Sequence, residues 1–142
     1  MKKYQITEWC RLFLRQHVSE GDLCIDATAG NGHDTLFLSR LVKESGQVLS
    51  FDIQPEALDA ARQRLEAAKS LDNVRLILDS HSHMDRYAAP GTVSCIVFNL
   101  GYLPGGDHSI ATKPETTIPA IEQGLSLLKP DGLISLCIYS GG

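Results

Sequence analysis

Five short apolar runs, each separated from the next by a stretch of helical periodicity, constrain this chain more than any other feature. LCIDA (23–27), QVLSFDI (47–53), VRLIL (74–78), VSCIVF (93–98) and GLISLCIY (132–139) are rich in β-branched and other apolar side chains. Such runs suit strands buried on both faces, as in parallel sheets covered by helices. Residues 4–18 set Ile6, Trp9, Cys10, Phe13, Leu14 and Val18 at helical spacing, the apolar stripe of a first helix. DTLFLSRLVKES places Leu36, Phe37, Leu41 and Val42 on adjoining faces, and Gly46 closes it. Pro55 suits the first turn of a third helix, which buries Ala57, Leu58, Ala61, Leu65 and Ala68. Residues 116–128 carry a fourth, despite Pro119. Strands alternating with helices predict an α/β protein with a mainly parallel sheet between two helical layers. The 142 residues suit one such domain, 1–142.

Composition narrows the classes. At 43% hydrophobic and 21% charged residues the chain reads as a globular domain. No apolar run approaches the roughly 20 residues that span a bilayer, and the first residues hold no uninterrupted apolar stretch of a signal peptide. No membrane association is expected. The net charge of −4 gives no basic field for nucleic acid, and DNA is not an expected partner. Cys10, Cys24, Cys95 and Cys137 are widely spaced, without Cys-x-x-Cys, and are expected as small buried hydrophobes in a reducing cytosol. A cytoplasmic location follows.

In open parallel sheets ligands bind beyond the carboxyl ends of the strands. Those ends are DATAGNGHDT (26–35), FDIQPE (51–56), LDSHSHMD (78–85) and FNLGYLPGGDH (98–108), all polar or glycine-rich. In the first, Gly30 and Gly32 let backbone approach a ligand and supply N–H groups at a helix start. Asp52 follows Gly32 by 20 residues, the separation at which a carboxylate can take two ribose hydroxyls. A dinucleotide fingerprint would need a third glycine where Thr35 stands. Asp26 is also unwelcome beside a pyrophosphate, and suits the ammonium of a methionine moiety. The expected cofactor is S-adenosylmethionine. FNLGYLPGG, broken by glycines and a proline, is expected as a loop. His33, His81, His83 and His108, with Asp85 and Asp107, show no tight ligand spacing, and no metal is expected.

The pattern D-x-T-x-G-x-G resembles the first motif of class I S-adenosylmethionine-dependent methyltransferases, with Thr28 where many members carry glycine. IDATAGNGHDT, FDIQ, DSH, FNLGYLPGGD and TKPETTIPAIEQGLSLLKPDG, in that order, are similar to the rRNA methylase family of that class. The resemblance covers about residues 21–139 and implies a Rossmann-like methyltransferase fold. The family includes an enzyme that methylates the aminomethyl group of a modified wobble uridine in tRNA. It implies a cofactor pocket of Asp26, Thr28, Gly30, Asn31, Gly32 and Asp34, then Asp52, Ile53 and Gln54, then Ser80 and His81, and finally Asn99, Leu100 and Gly101. Asn99 to Tyr102 would replace the Asn-Pro-Pro-Tyr loop of amino-methylating enzymes, with Asn99 and Tyr102 as catalytic residues. The expected partner is tRNA at its anticodon region, and a homodimer is allowed for. Relatives continue with a histidine after Tyr-x-Gly and two further strands, so the sheet is expected to lack its last two strands. An rRNA or small-molecule amine as acceptor, or a non-catalytic cofactor-binding module, are the alternatives.

Overall fold

The five apolar runs become β1 (Leu23–Asp26), β2 (Gln47–Asp52), β3 (Val74–Leu78), β4 (Val93–Gly101) and β5 (Leu128–Tyr139) in a computed structural model that describes residues 6–101 and 114–139. They form one sheet in the order β3-β2-β1-β4-β5, with every pairing parallel. The order reverses between β1 and β4, so a crevice opens beyond their carboxyl ends. Helices α1 (Ile6–His17), α2 (His33–Val42), α3 (Pro55–Ala67) and α4 (Pro114–Leu127) connect and cover the strands.

Alternate residues of a strand point to opposite faces, and that divides the core in two. Cys24, Val48, Cys95 and Val97 meet Leu14 of α1, Val18 just after that helix, and Leu38 and Val42 of α2. Ile25, Leu49, Phe51, Ile96 and Phe98 meet Ala120 and Leu127 of α4 and Met84 of a short 3-10 helix, His81–Arg86. Each large aliphatic side chain so buried stabilises by about 1.5–3 kcal/mol. Pro55 opens α3 as expected, with Leu58, Ala61 and Leu65 buried and the helix packed beside α2.

Several expectations change. The stripe of α1 is narrower than its spacing suggested, since Trp9 and Phe13 are 59% and 49% exposed. FNLGYLPGG does not begin as a loop: Asn99, Leu100 and Gly101 continue β4, paired with Cys137, Ile138 and Tyr139 of β5. Glycine there is compatible with a ladder because the neighbouring strand supplies the partners that hold it extended. Residues 102–113, with Tyr102, Asp107 and His108, lie outside the described residues. Strand β5 starts four residues early, at Leu128, but its register breaks between Val93 and Cys95 of β4, and Asp131 turns through φ 68. Cys10 and Cys137, 127 residues apart, are paired as a disulfide between α1 and β5, so only Cys24 and Cys95 are free buried thiols. Wide spacing concealed a contact that docking of α1 against β5 creates.

Gly32 caps α2 at φ 86, and a Cβ there would lie 2.8 Å from the Ala61 Cα of α3. Gly30 is also left-handed, at φ 52, but a Cβ there would meet nothing nearer than the Thr28 carbonyl at 3.9 Å. Gly32→Ala therefore combines backbone strain with overpacking and is expected to cost about 2–4 kcal/mol in urea unfolding. Gly30→Ala carries the strain alone, about 1–2 kcal/mol. Equal losses would show that the contact with α3 is not tight.

Candidate active site

The first loop is held from beneath by Asp26, which is completely buried at the end of β1. Its Oδ1 accepts the Thr28 N–H at 3.1 Å and its Oδ2 accepts the Thr35 hydroxyl at 2.7 Å. Thr35 in turn lies 2.6 Å from the Ser50 hydroxyl of β2. Burial, then the charge of Asp34, pushes the Asp26 carboxyl up to about 7, against the hydrogen bonds from Thr35 and Thr28 that favour its ionised form. Thus both oxygens of the buried Asp26 carboxyl hold the loop.

Asp52 ends β2 beside that loop. Its Oδ2 accepts the Gly30 N–H at 3.1 Å and its Oδ1 the Gln54 N–H at 2.9 Å. A carboxylate offers about four lone-pair positions, so two remain for hydroxyl donors. The adjacent Ile53 is 64% exposed, an apolar surface next to a polar one. With the open space at Gly30, this corner fits a nucleoside: hydroxyls on Asp52 and a flat base on Ile53.

Asn99 stands across the reversal point in β4. Its N–H donates to Thr28 Oγ1 at 2.8 Å, which ties β4 to the first loop. Its Nδ2 donates to Asp34 Oδ2, while Asp34 Oδ1 pairs with Arg11 Nη2 of α1 at 3.4 Å. Arg11 is itself stacked over the Phe37 ring, 5.4 Å from its centroid. An ionised carboxylate only accepts, so the amide nitrogen of Asn99 must face Asp34 and its Oδ1 must face away. Among the described residues Oδ1 has no donor.

The third strand end is built differently from expectation. Ser80 caps the 3-10 helix by accepting the Ser82 N–H at 3.1 Å, so its hydroxyl is engaged locally. His81 reaches back to β1, with Nδ1 3.0 Å from the Ala27 carbonyl oxygen and its ring edge-on to Phe98. A carbonyl cannot donate, so Nδ1 carries the proton. Burial lowers the ring's pKa, and the neutral ring leaves Nε2 as an acceptor. Asp79 accepts from Tyr87 at 2.8 Å and contacts His83 Nδ1 at 2.7 Å. These bonds, His83 first, hold its carboxyl down at about 2.

Of the residues expected in the site, Asp26, Thr28, Asn99 and Asp34 form one hydrogen-bonded set, and Gly30, Asp52 and Gln54 form a second, joined to the first through the backbone between Thr28 and Gly30. Asn31 is exposed, and its carbonyl takes Arg64 Nε at 2.9 Å. Gly32 faces α3, and Leu100 packs against the core. Arg11, Thr35 and Ser50 were not foreseen as part of the assembly. Thr35 did carry a signal: a hydroxyl nine residues after a buried carboxylate, where a glycine was looked for. Burial raises the thiols of Cys24 and Cys95, the latter to about 12, so neither is a nucleophile. Among the described residues no three His, Cys, Asp or Glu groups converge as for a metal, and no helix is long and apolar enough to cross a membrane. Two shallow surface hollows, between α2 and α3 and beside Lys43, are lined by none of the strand-end carboxylates.

A parallel sheet in this order, with a glycine-rich first turn and an acidic second strand end, is the Rossmann-like fold of S-adenosylmethionine-dependent methyltransferases. The chain belongs to the family described as "Putative rRNA methylase", which matches residues 48–142. It is 39% identical over 144 residues to the chloroplastic tRNA (mnm(5)s(2)U34)-methyltransferase of Arabidopsis thaliana, covering 95% of this chain and 53% of that protein. The chain thus spans about half the length of that curated relative. A crystal structure of a "putative rRNA-methylase" from Clostridium thermocellum superposes with a TM-score of 0.92 at 44% identity, covering 100% of this chain and 76% of that one. A "putative methyltransferase" from Streptococcus mutans, in complex with SAH, superposes at 0.83 with 38% identity, covering 95% and 73%.

Asp26 generates a pH test. Folding raises its carboxyl from 3.8 to about 7, so its contribution is fully present below about pH 4 and is lost as pH rises through 7. The full effect is on the order of 4 kcal/mol. Asp26→Asn mimics the protonated carboxyl and should flatten the fall in urea-unfolding stability between pH 4.5 and 8. An unchanged slope in the variant would show that another group titrates.

Proposed function

We propose that this chain is an S-adenosylmethionine-dependent N-methyltransferase that methylates the aminomethyl group of a modified wobble uridine in tRNA. The observation that carries this is the Asn99 amide, whose nitrogen is committed to Asp34 and whose oxygen is left facing away, ready to accept from an amine. The name of the Arabidopsis relative supplies the acceptor, and the SAH complex of the Streptococcus mutans relative supplies the cofactor. Contact with tRNA at the anticodon region belongs to the same proposal.

When bound, S-adenosylmethionine supplies an electrophilic methyl carbon on a sulfonium. Asp52 would hold the ribose hydroxyls, and Ile53 would cover the adenine. Asn99 Oδ1 would accept an N–H of the amine and turn its lone pair toward that carbon. Tyr102, three residues along the chain, would offer a face for the uridine to stack on. An alkylamine with a pKa near 10 must first lose its proton. Desolvation in a closed site favours the neutral amine, and Asn99 binds that form. Positioning of this kind can supply several kcal/mol of the barrier without a covalent intermediate.

Two substitutions separate the roles. Asp52→Ala should weaken S-adenosylmethionine binding about ten- to a hundredfold in calorimetry, the worth of a charge-assisted pair of hydrogen bonds. An unchanged dissociation constant rejects the ribose assignment. Asn99→Ala should leave that constant near wild type while methyl transfer to undermethylated tRNA falls about 10²–10³-fold. Wild-type turnover in the variant would make β4's end structural, and mass spectrometry of the labelled nucleoside identifies the acceptor.

A further inference from the structure

We propose that Asp34 is a positioning residue for methyl transfer: its carboxylate, steadied by Arg11, sets which atom of the Asn99 amide faces the acceptor. The proposal rests on the reading of Asn99 as the group that receives the amine, and it removes Asp34 from the cofactor pocket to which the family resemblance assigned it.

A side-chain amide has two orientations related by a 180° flip, which exchange its oxygen and nitrogen. They are nearly equal in shape and opposite in hydrogen-bonding character. Only the orientation with oxygen toward the amine accepts an N–H and aims the lone pair. Turned over, the amide would present N–H groups to the nucleophile and compete for that lone pair. Something must therefore break the symmetry. In this structure it is Asp34, whose Oδ2 receives Asn99 Nδ2. The flipped amide would lose a charge-assisted bond and press its own oxygen against the carboxylate.

The carboxylate is fixed from its other side. Asp34 lies in the first turn of α2 and pairs through Oδ1 with Arg11 of α1. The Arg11 guanidinium lies over Phe37, one turn along α2, and Phe37 packs against the core face shared with Leu14 and Leu38. The Asn99 backbone is held independently, through its N–H to Thr28. Thus α1, α2, the first loop and β4 converge on one amide. Each oxygen of Asp34 has one protein donor, Asn99 Nδ2 on Oδ2 and Arg11 Nη2 on Oδ1, and both donors are side chains whose placement the carboxylate can set.

The test compares Asp34→Asn, Asn99→Ala and the double variant of the full chain. Three quantities are read: S-adenosylmethionine affinity by calorimetry, kcat on tRNA bearing the aminomethyl uridine, and the Asn99 side-chain amide signals by NMR. Asp34→Asn offers an amide that can pair with either face of Asn99, so the preference is lost while the shape is kept. Cofactor affinity should stay within about twofold. The kcat should fall roughly ten- to a hundredfold, the scale of a misplaced reacting group. In the Asn99→Ala background the same change should alter kcat by less than about twofold, because its target is gone. In wild type one Asn99 Nδ2 proton should resonate well downfield of its partner and exchange slowly, and that separation should collapse in Asp34→Asn. A tenfold loss of cofactor affinity would return Asp34 to the cofactor pocket and overturn the proposal. Additive losses in the double variant, or an Asn99 signal unchanged by Asp34→Asn, would overturn it as well. Should wild type methylate no amine at all, the proposed function falls with the kinetic part. The amide signal, read on wild type and on the variant, still decides whether Asp34 orients Asn99.

Discussion

The geometry of the crevice depends on one buried carboxyl. Asp26 is sealed at the end of β1, and the only way to satisfy it there is with donors from the chain that follows. It takes the Thr28 N–H and the Thr35 hydroxyl, and so bends residues 26–35 into a defined turn at the start of α2. Once the turn is set, Thr28 can receive the Asn99 N–H and Gly30 can donate to Asp52. Asn99 then meets Asp34, whose charge acts back on Asp26. Strand ends that share no sequence neighbourhood are joined into a closed circuit.

Three carboxylates in one crevice would repel one another, and the structure relieves this in three ways. Asp26 moves toward its protonated form near neutral pH. Asp34 is paired with Arg11. Asp52 shares its charge with two backbone N–H groups. What remains is an acidic rim, which disfavours a pyrophosphate and favours a cationic ligand. The same balance explains why Thr35 replaces the glycine of a dinucleotide fingerprint: its hydroxyl is needed under the loop.

Most of the sheet was legible because a parallel strand buried on both faces has to be apolar, and a helix covering it has to be amphipathic. LCID, QVLSFD and VRLIL could have been little else. The place of Asp52 was legible too, since it ends an apolar run near a glycine-rich turn, and the structure sets its carboxylate on the Gly30 N–H of that turn. Leu100 and Gly101 misled, because glycine beside proline reads as a loop until a neighbouring strand is present to pair with it. Cys10 and Cys137 misled because no local pattern connects two positions 127 residues apart.

The sequence by itself determined the alternation of strands and helices, the polar strand ends and the family to which they belong, because periodicity and strand-end chemistry are local properties. Only the tertiary structure decided what each polar group is used for. Asp26, Asp34 and Asp52 are the same residue type within 26 positions of one another, yet one takes the Thr28 N–H and the Thr35 hydroxyl, one the Asn99 amide and the Arg11 guanidinium, and one two backbone N–H groups. The difference lies in which donors the fold brings to each carboxylate and how far each is removed from water. Both are set by contacts between distant segments, α1 with α2 and the first loop with β4, and no local pattern contains them.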